Sequence, residues 1–153
     1  MRKLIRTYSL ASLICIIAMI TMSCEEQDNS YSGPPVVEFQ RSITGVTAQY
    51  SSGVGTVIDT AIVQLVGPHQ TSDMNLTFSV ENSSSAVEGT HFNLLSPGTF
   101  VIEQGSSFGY IRFEVLTDNV TSGENFQLDL TLTGGDLDVS ENYKTLAHRL
   151  NFQ

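Results

Sequence analysis

The residue types that are scarce in this chain exclude some classes of protein before any motif is considered. It has no tryptophan, two cysteines, and seven lysine or arginine residues among 153. Three of those seven lie before residue 7, so residues 24–153 carry 16 acidic and four basic residues, a net charge of −12. A surface of this charge repels phosphate backbones, and no basic patch offsets the repulsion. We therefore expect no nucleic-acid partner.

The motifs of common catalytic sites are also missing. The sequence has no Gly-x-Ser-x-Gly, no His-Glu-x-x-His and no phosphate-binding glycine loop. His69, His91 and His148 are far apart and have no cysteine partners, so their spacing does not favour zinc. Asp136 and Asp138 are close together, but a Gly-Gly-led loop accounts for them as solvated side chains. We expect no enzymatic activity and no cofactor.

The clearest signal lies at the N-terminus. A short basic head is followed by an apolar run, 10–22, which is shorter than the ~20 apolar residues that a spanning helix needs. A small residue then directly precedes Cys24. This layout predicts a lipoprotein signal peptide over 1–23, whose removal leaves Cys24 as an N-terminus acylated with chains such as palmitate. The alternative is an ordinary signal peptide with an incidental cysteine, because Thr21 and Met22 depart from the usual cleavage motif.

Cleavage there has consequences for stability and location. Cys15 leaves with the signal, so an acylated Cys24 makes disulfides impossible and the fold depends on its core. Residues 24–35 are polar and acidic and end in Gly-Pro-Pro, which predicts a flexible tether. The acidic residues behind Cys24 resemble the surface-export signal of Bacteroidota lipoproteins. That resemblance implies a protein lipid-anchored in the outer membrane and facing the cell exterior, whereas a merely solvated linker is the alternative.

From residue 36 onward, apolar and polar residues alternate. The alternation is clearest over 60–65, 75–81, 111–115, 126–132 and 146–152. A period of two is typical of half-buried antiparallel strands, and turn residues separate the segments. About seven short strands within one domain, 36–153, predict an all-β fold: an antiparallel Greek-key β-sandwich of the immunoglobulin-like kind.

Four segments in this domain resemble a Calx-beta domain. They are 85–92 (SAVEGTHF), 98–105 (GTFVIEQG), 111–118 (IRFEVLTD) and 123–130 (GENFQLDL), and they follow the family's order and spacing. Small Bacteroidota lipoproteins of uncharacterised function have the same Gly-Thr-His/Asp-aromatic turn. Some of those lie beside machinery for glycan import, so the resemblance implies a role in glycan capture by analogy.

Calx-beta domains of the exchanger type bind Ca²⁺ through clustered carboxylates. Of the family's acidic positions this chain keeps Asp118 and Glu124, whereas His91 and Thr121 stand at two others. Calcium takes 6–8 oxygen ligands, several of them charged. We therefore predict no metal site, and Ca²⁺ binding at the residual positions is the second alternative function.

A ligand-binding face is the sharper prediction. Tyr110, Arg112 and Glu114 share one face of a predicted strand, and Asp129 would lie beside them if the next strand pairs as a hairpin. Aromatic rings with nearby charged groups suit the stacking and hydrogen bonding of sugars. The alternative is an ordinary solvated sheet face in which Arg112 pairs with a carboxylate.

The sequence thus predicts a non-catalytic, lipid-anchored binding or assembly module of the cell envelope, accessory to glycan capture. A structural or adhesive module that binds an envelope protein is the first alternative. Asp59-Thr60-Ala61 also matches the short sequence at which Bacteroidota attach O-glycans, although it lies in a predicted strand.

Overall fold

The computed structural model describes residues 31–153. The predicted signal peptide, Cys24 and the first part of the predicted tether lie outside these residues. The described chain forms ten strands: β1 (Val36–Phe39), β2 (Val46–Tyr50), β3 (Thr56–Val66), β4 (Met74–Val80), β5 (Phe92–Leu94), β6 (Thr99–Ile102), β7 (Phe108–Leu116), β8 (Asn125–Gly135), β9 (Asp138–Val139) and β10 (Thr145–Phe152). Helical structure in this range is one 3₁₀ turn, Thr117–Asn119.

The strands form two five-stranded sheets. The first sheet has the order β5-β7-β3-β1-β9 and the second sheet the order β2-β10-β8-β4-β6. Strands that follow one another along the chain always lie in different sheets, so each connection between consecutive strands crosses from one sheet to the other. The predicted all-β sandwich is confirmed.

Ten strands form where about seven were expected. The three additional strands, β2, β5 and β9, are five, three and two residues long, and each lies at the edge of a sheet. Segments this short give too few alternations for a period of two to be recognised. Two pairings, β1 with β9 and β2 with β10, are parallel rather than antiparallel. The second arises because the chain leaves the first sheet after β1 and continues in the same direction beside β10.

The core lies between the sheets and is built from the apolar side of each alternation. Its fully buried members include Phe113 on β7, Leu128 and Leu130 on β8, and Leu150 on β10. Burial of such a side chain stabilises the fold by ~1.5–3 kcal/mol. His148 on β10 also lies in the core, since its side chain is 0% exposed.

The sandwich has one closed side, where β7 of the first sheet meets β6 of the second. Gly109 on β7 makes this possible, because a Cβ there would lie 2.7 Å from Ile102 and 2.9 Å from Phe100. Real Cβ atoms do not approach other atoms so closely. The opposite side, between β3 and β2, is bridged by side chains instead.

That bridge is a partly buried polar cluster. The Tyr50 hydroxyl on β2 donates to the Asp59 carboxylate on β3, and Nε2 of His148 on β10 lies 3.0 Å from the same carboxylate. The ring of His148 also meets Phe113 edge-on, with centroids 5.1 Å apart. Its Nδ1 is buried without a hydrogen-bond partner among the described residues.

Candidate functional site

The predicted site residues on β7 do share one face. Tyr110, Arg112 and Glu114 point outward from the first sheet and lie opposite Ile62, Thr60 and Ile58 of β3, respectively. We call the outward side chains over 58–64 of β3 and 108–114 of β7 the aromatic face. They are Ile58, Thr60, Ile62, Gln64, Phe108, Tyr110, Arg112 and Glu114. Tyr110 is 48% exposed there.

Asp129 does not join them. The expected hairpin between the strands of Tyr110 and Asp129 was wrong, because the chain crosses to the other sheet after Thr117–Asn119 and β8 pairs with β10 and β4. Asp129 accepts hydrogen bonds from Gln127 Nε2 at 2.7 Å and from Ser83 Oγ at 2.9 Å. Its carboxylate therefore holds the loop after β4 onto the second sheet.

The structure places Tyr110 and Arg112 in a side groove. β5 ends at Leu94, so β7 continues beyond it along the edge of β6. The space above this junction has a volume of about 440 Å³ and is lined by Leu95, Ser96, Thr99, Phe100, Val101, Glu103, Tyr110 and Arg112. We call this the side groove. It combines an aromatic ring, a guanidinium and a carboxylate with exposed aliphatic side chains.

Sequence reasoning missed the part of the groove that comes from β6 and the loop before it. Val101 is 45% exposed at an outward position of its strand, where the alternation calls for a polar residue. An apolar side chain at such a position was the available signal. Glu103 gave no signal, because its nearness to β7 depends on how the two sheets meet.

Arg112 has no ion pair with a described residue, which is contrary to the alternative interpretation of this face. Within residues 31–153, the contacts between basic and acidic side chains are those of Lys144 with Glu141 and of His148 with Asp59. The guanidinium is thus available to a ligand as a planar donor of several hydrogen bonds.

The Calx-beta-like positions lie at the end of the sandwich opposite Tyr31. Asp118 accepts a hydrogen bond from Gly55 N–H at 3.0 Å, and Glu124 accepts one from Thr121 N–H at 2.7 Å. The backbone bond to Thr121 lowers the pKa of Glu124. Asp118 therefore joins two loops that are distant in the sequence, and Glu124 closes the turn that begins at Thr121. Among the described residues, no group of three or more histidine, cysteine or acidic side chains is placed to hold a metal ion.

His91, which replaces an acidic residue of the Calx-beta pattern, has a packing role. Its ring stacks on Phe126 with centroids 3.8 Å apart, and its Nδ1 accepts the Val87 N–H at 2.9 Å. Partial burial lowers the pKa of His91, against the attraction of Glu124. These contacts hold the turn against the first residues of β8.

A Ser–His pair was also missed. His69 Nε2 lies 2.6 Å from Ser107 Oγ, which joins the loop after β3 to the loop before β7. Residues 38 positions apart give no sequence signal. No described residue bonds the other ring nitrogen of His69, so the third group that orients the base in a catalytic triad is missing from this part of the chain.

The residues of the glycosylation-like sequence point in different directions. Asp59 faces inward and Thr60 faces outward on the aromatic face. Burial tends to raise the pKa of Asp59, but hydrogen bonds from His148, Tyr50 and Thr60 outweigh it and hold the pKa below its usual value. Burial, reinforced by Asp59, raises the pKa of Tyr50.

Comparison with known proteins identifies the fold. No protein-family model matches the chain, and no curated protein matches it. A candidate carbohydrate-binding protein of Bacteroides ovatus has a similar structure, with a TM-score of 0.57 and 11% identity over 76% of this chain and 36% of that one. A second Bacteroides ovatus protein, of unknown function, has a TM-score of 0.56 and 14% identity over 77% of this chain and 44% of its own.

A third Bacteroides ovatus structure of unknown function gives a TM-score of 0.56 and 15% identity over 76% of this chain and 46% of its own. This chain therefore spans less than half the length of each of these three proteins. At such identities the likeness shows a shared fold alone. Calx-beta membership and lipidation stay predictions. In residues 31–153, no helix is long and apolar enough to cross a membrane.

Proposed function

We propose that this protein is a non-catalytic binding module of the cell envelope that captures a glycan in the side groove. The observation that carries the proposal is the exposed ring of Tyr110 beside an Arg112 guanidinium that no described carboxylate pairs. A sugar ring stacks on an aromatic side chain, and its hydroxyl groups suit charged donors and acceptors such as Arg112 and Glu103. The same fold in a candidate carbohydrate-binding protein supports the proposal.

The proposed binding is not coupled to a reaction. Glu103 supplies the one carboxylate among the residues that line the groove, whereas glycoside hydrolysis uses two carboxylates. The Ser107–His69 pair lies outside the groove and lacks an orienting third group among the described residues. Capture without cleavage is the role that these arrangements support.

The proposed location follows from the N-terminal sequence. Cys24 would carry the lipid, and the acidic tether would place the sandwich on the outer face of the outer membrane. Labelling of expressing cells with an alkyne analogue of palmitate should mark the wild-type protein and leave Cys24→Ala unmarked. Digestion of the protein by protease added to intact cells would establish surface exposure, and protection would contradict it.

A polysaccharide array tests glycan capture directly. We expect micromolar-to-millimolar binding to at least one glycan, weakened about fivefold or more in Tyr110→Ala, because an aromatic contact contributes ~1 kcal/mol or more. Tyr31→Ala is the matched control, since Tyr31 is 46% exposed and lies outside the groove. Equal losses in both variants, or binding unchanged in Tyr110→Ala, would refute the assignment of the groove.

A further inference from the structure

Half of β3 has no neighbour on one side. β1 pairs with β3 from Val63 to Val66, and the bond from Gln40 N–H to the Ile62 carbonyl is the last one along that edge. No described strand pairs with the 56–60 part of β3 on this side. The chain leaves the first sheet at this point and joins the second sheet as β2.

The alternation of a β-ladder identifies which main-chain groups face this open edge. The Ile62 carbonyl faces β1, so Thr60 and Ile58, two and four residues earlier, face the same side. Thr60 N–H is occupied by the Asp59 carboxylate at 2.6 Å. The Ile58 N–H and the carbonyls of Ile58 and Thr60 have no partner among the described residues. An edge of this kind is a template for an added strand.

A small pocket lies at the end of this edge. It has a volume of about 180 Å³ and is lined by Gln40, Arg41, Val46, Thr60, Ile62 and Leu146. The side chains of Val46, Ile62 and Leu146 make much of its wall apolar. The pocket is therefore suited to an aliphatic side chain that arrives along the edge of β3.

Arg41 gives the pocket a charged rim. It is one of four basic residues in 24–153 and has no ion pair with a described residue. The side chain of Arg41 is exposed, so the fold does not bury its guanidinium. A carboxylate bound there would form a charge-assisted hydrogen bond, which is about twice as strong as a neutral one.

From these features we propose that the open edge of β3 binds the extended C-terminal segment of a partner protein. The segment runs parallel to β3, so its end reaches the pocket after passing Ile58 and Thr60. Its main chain pairs with those two residues, its last aliphatic side chain enters the pocket, and its terminal carboxylate binds Arg41. Strand addition combined with capture of a chain terminus is an established mode of peptide recognition.

The site is separate from the side groove, which lies on the other edge of the first sheet. It needs no residue of the groove, so the two proposals can fail independently. The net charge of −12 on residues 24–153 disfavours acidic residues upstream in the partner segment. The terminal carboxylate is then the one negative charge that the site accommodates.

Fluorescence anisotropy with synthetic peptides tests this site. The probes are labelled hexapeptides of alternating threonine and valine that end in alanine, valine, leucine or isoleucine, each as the free acid and as the C-terminal amide. We expect saturable binding of at least one free acid and about tenfold weaker binding of its amide. Arg41→Gln should remove the difference between acid and amide, whereas Arg149→Gln, on the outer face of the second sheet, should preserve it.

A second variant tests the strand pairing. Ile58→Pro removes a main-chain N–H that no described residue uses, and proline is tolerated at a strand edge. We expect a thermal unfolding transition like that of the wild type but at least tenfold weaker peptide binding. Tyr110→Ala should bind the peptide as the wild type does.

Two results would overturn the proposal. One is the absence of saturable binding by every free acid at millimolar concentration, or equal binding of acids and amides. The other is a wild-type protein that sediments as a dimer and becomes monomeric in Ile58→Pro, because a second copy of the chain would then occupy the edge.

Discussion

The outer faces of the two sheets have the same backbone architecture and opposite chemistry. On the second sheet the outward side chains of β4 and β8, which we call the polar face, are Asn75, Thr77, Ser79, Gln127, Asp129, Thr131 and Thr133. Several of them bond to one another or to adjacent turns, as Thr77 does to Thr133 at 2.7 Å. The aromatic face instead exposes Ile58, Phe108 and Tyr110. On the polar face, side-chain donors and acceptors are largely bonded within the protein. On the aromatic face, they are left available to a ligand.

This difference indicates where binding capacity lies. Apolar and aromatic side chains are exposed on the aromatic face. Large apolar patches on soluble domains usually mark contact sites, so this face is better suited to binding than to a purely structural role. A polar side chain that already has its partners gains little from a ligand. We therefore expect substitutions on the polar face to change stability and those on the aromatic face to change binding.

The largest expected effect lies beneath the groove. Gly109→Leu forces a side chain against Phe100 and Ile102, and should lower the free energy of unfolding by about 2–3 kcal/mol. Thr47→Leu, at an exposed position of β2, should change it by less than about 0.5 kcal/mol. Urea denaturation measures both. Equal stability of the two variants would show that the sheets do not meet closely at this side.

A smaller loss of stability is expected when the carboxylate of Asp59, which faces inward from the first sheet, is replaced. Asp59→Asn should cost about 1–2 kcal/mol at pH 7, because the charged hydrogen bonds with Tyr50 and His148 are lost. The pKa of Asp59 is held below its unfolded value of 3.8, so this stabilisation is complete above that pH and is lost as the pH falls through the folded pKa.

The stability difference between the wild type and Asp59→Asn should therefore shrink progressively as the pH falls below 3.8 and be lost below the folded pKa of Asp59. Denaturation midpoints at a series of pH values check this. Asp129→Asn on the polar face is the control and should cost less at pH 7. A stability difference that does not shrink at all as the pH falls below 3.8 would contradict the role given to the Asp59 carboxylate.

On the polar face, we expect the loss of a side-chain hydrogen bond to lower the free energy of unfolding by about 1 kcal/mol. Thr77→Val keeps the shape of the side chain and removes its bonds to Thr133 and the Gly134 carbonyl. Glycan binding should not change. A weakened glycan affinity in this variant would break the contrast between the two faces.

The smallest change in stability is expected at Ile58, the most exposed apolar residue of the aromatic face. Ile58 is 65% exposed, so Ile58→Thr should alter the free energy of unfolding by less than about 0.5 kcal/mol. A loss above 1 kcal/mol in thermal or urea unfolding would mean that the apolar side chains of this face serve folding rather than binding.

The sequence predicted the layers of the fold well because alternation reports which side of a strand is buried. It identified the core side of β8 and the outward side of β7, including Tyr110 and Arg112. Alternation does not report which strands are neighbours, and so Asp129 was wrongly placed beside Tyr110. Sheet assignment depends on the path of the chain between strands, which here crosses after Thr117–Asn119.

The groove and the open edge could not be predicted for the same reason. Glu103 reaches the groove only because β5 ends at Leu94 and lets β6 approach β7. The Tyr50–Asp59–His148 cluster joins residues from three strands in two sheets. Contacts of this range follow from how the sheets meet, and local periodicity carries no information about that.

Glycan capture in the side groove can be located residue by residue with amide NMR, by titrating the isotopically labelled domain with the tightest glycan from the array. We predict shift changes concentrated at residues 95–103 and 110–112, which contain the residues that line the side groove, and unchanged amides over 127–131 on the polar face. Changes centred on 127–131 with a silent groove would contradict the account.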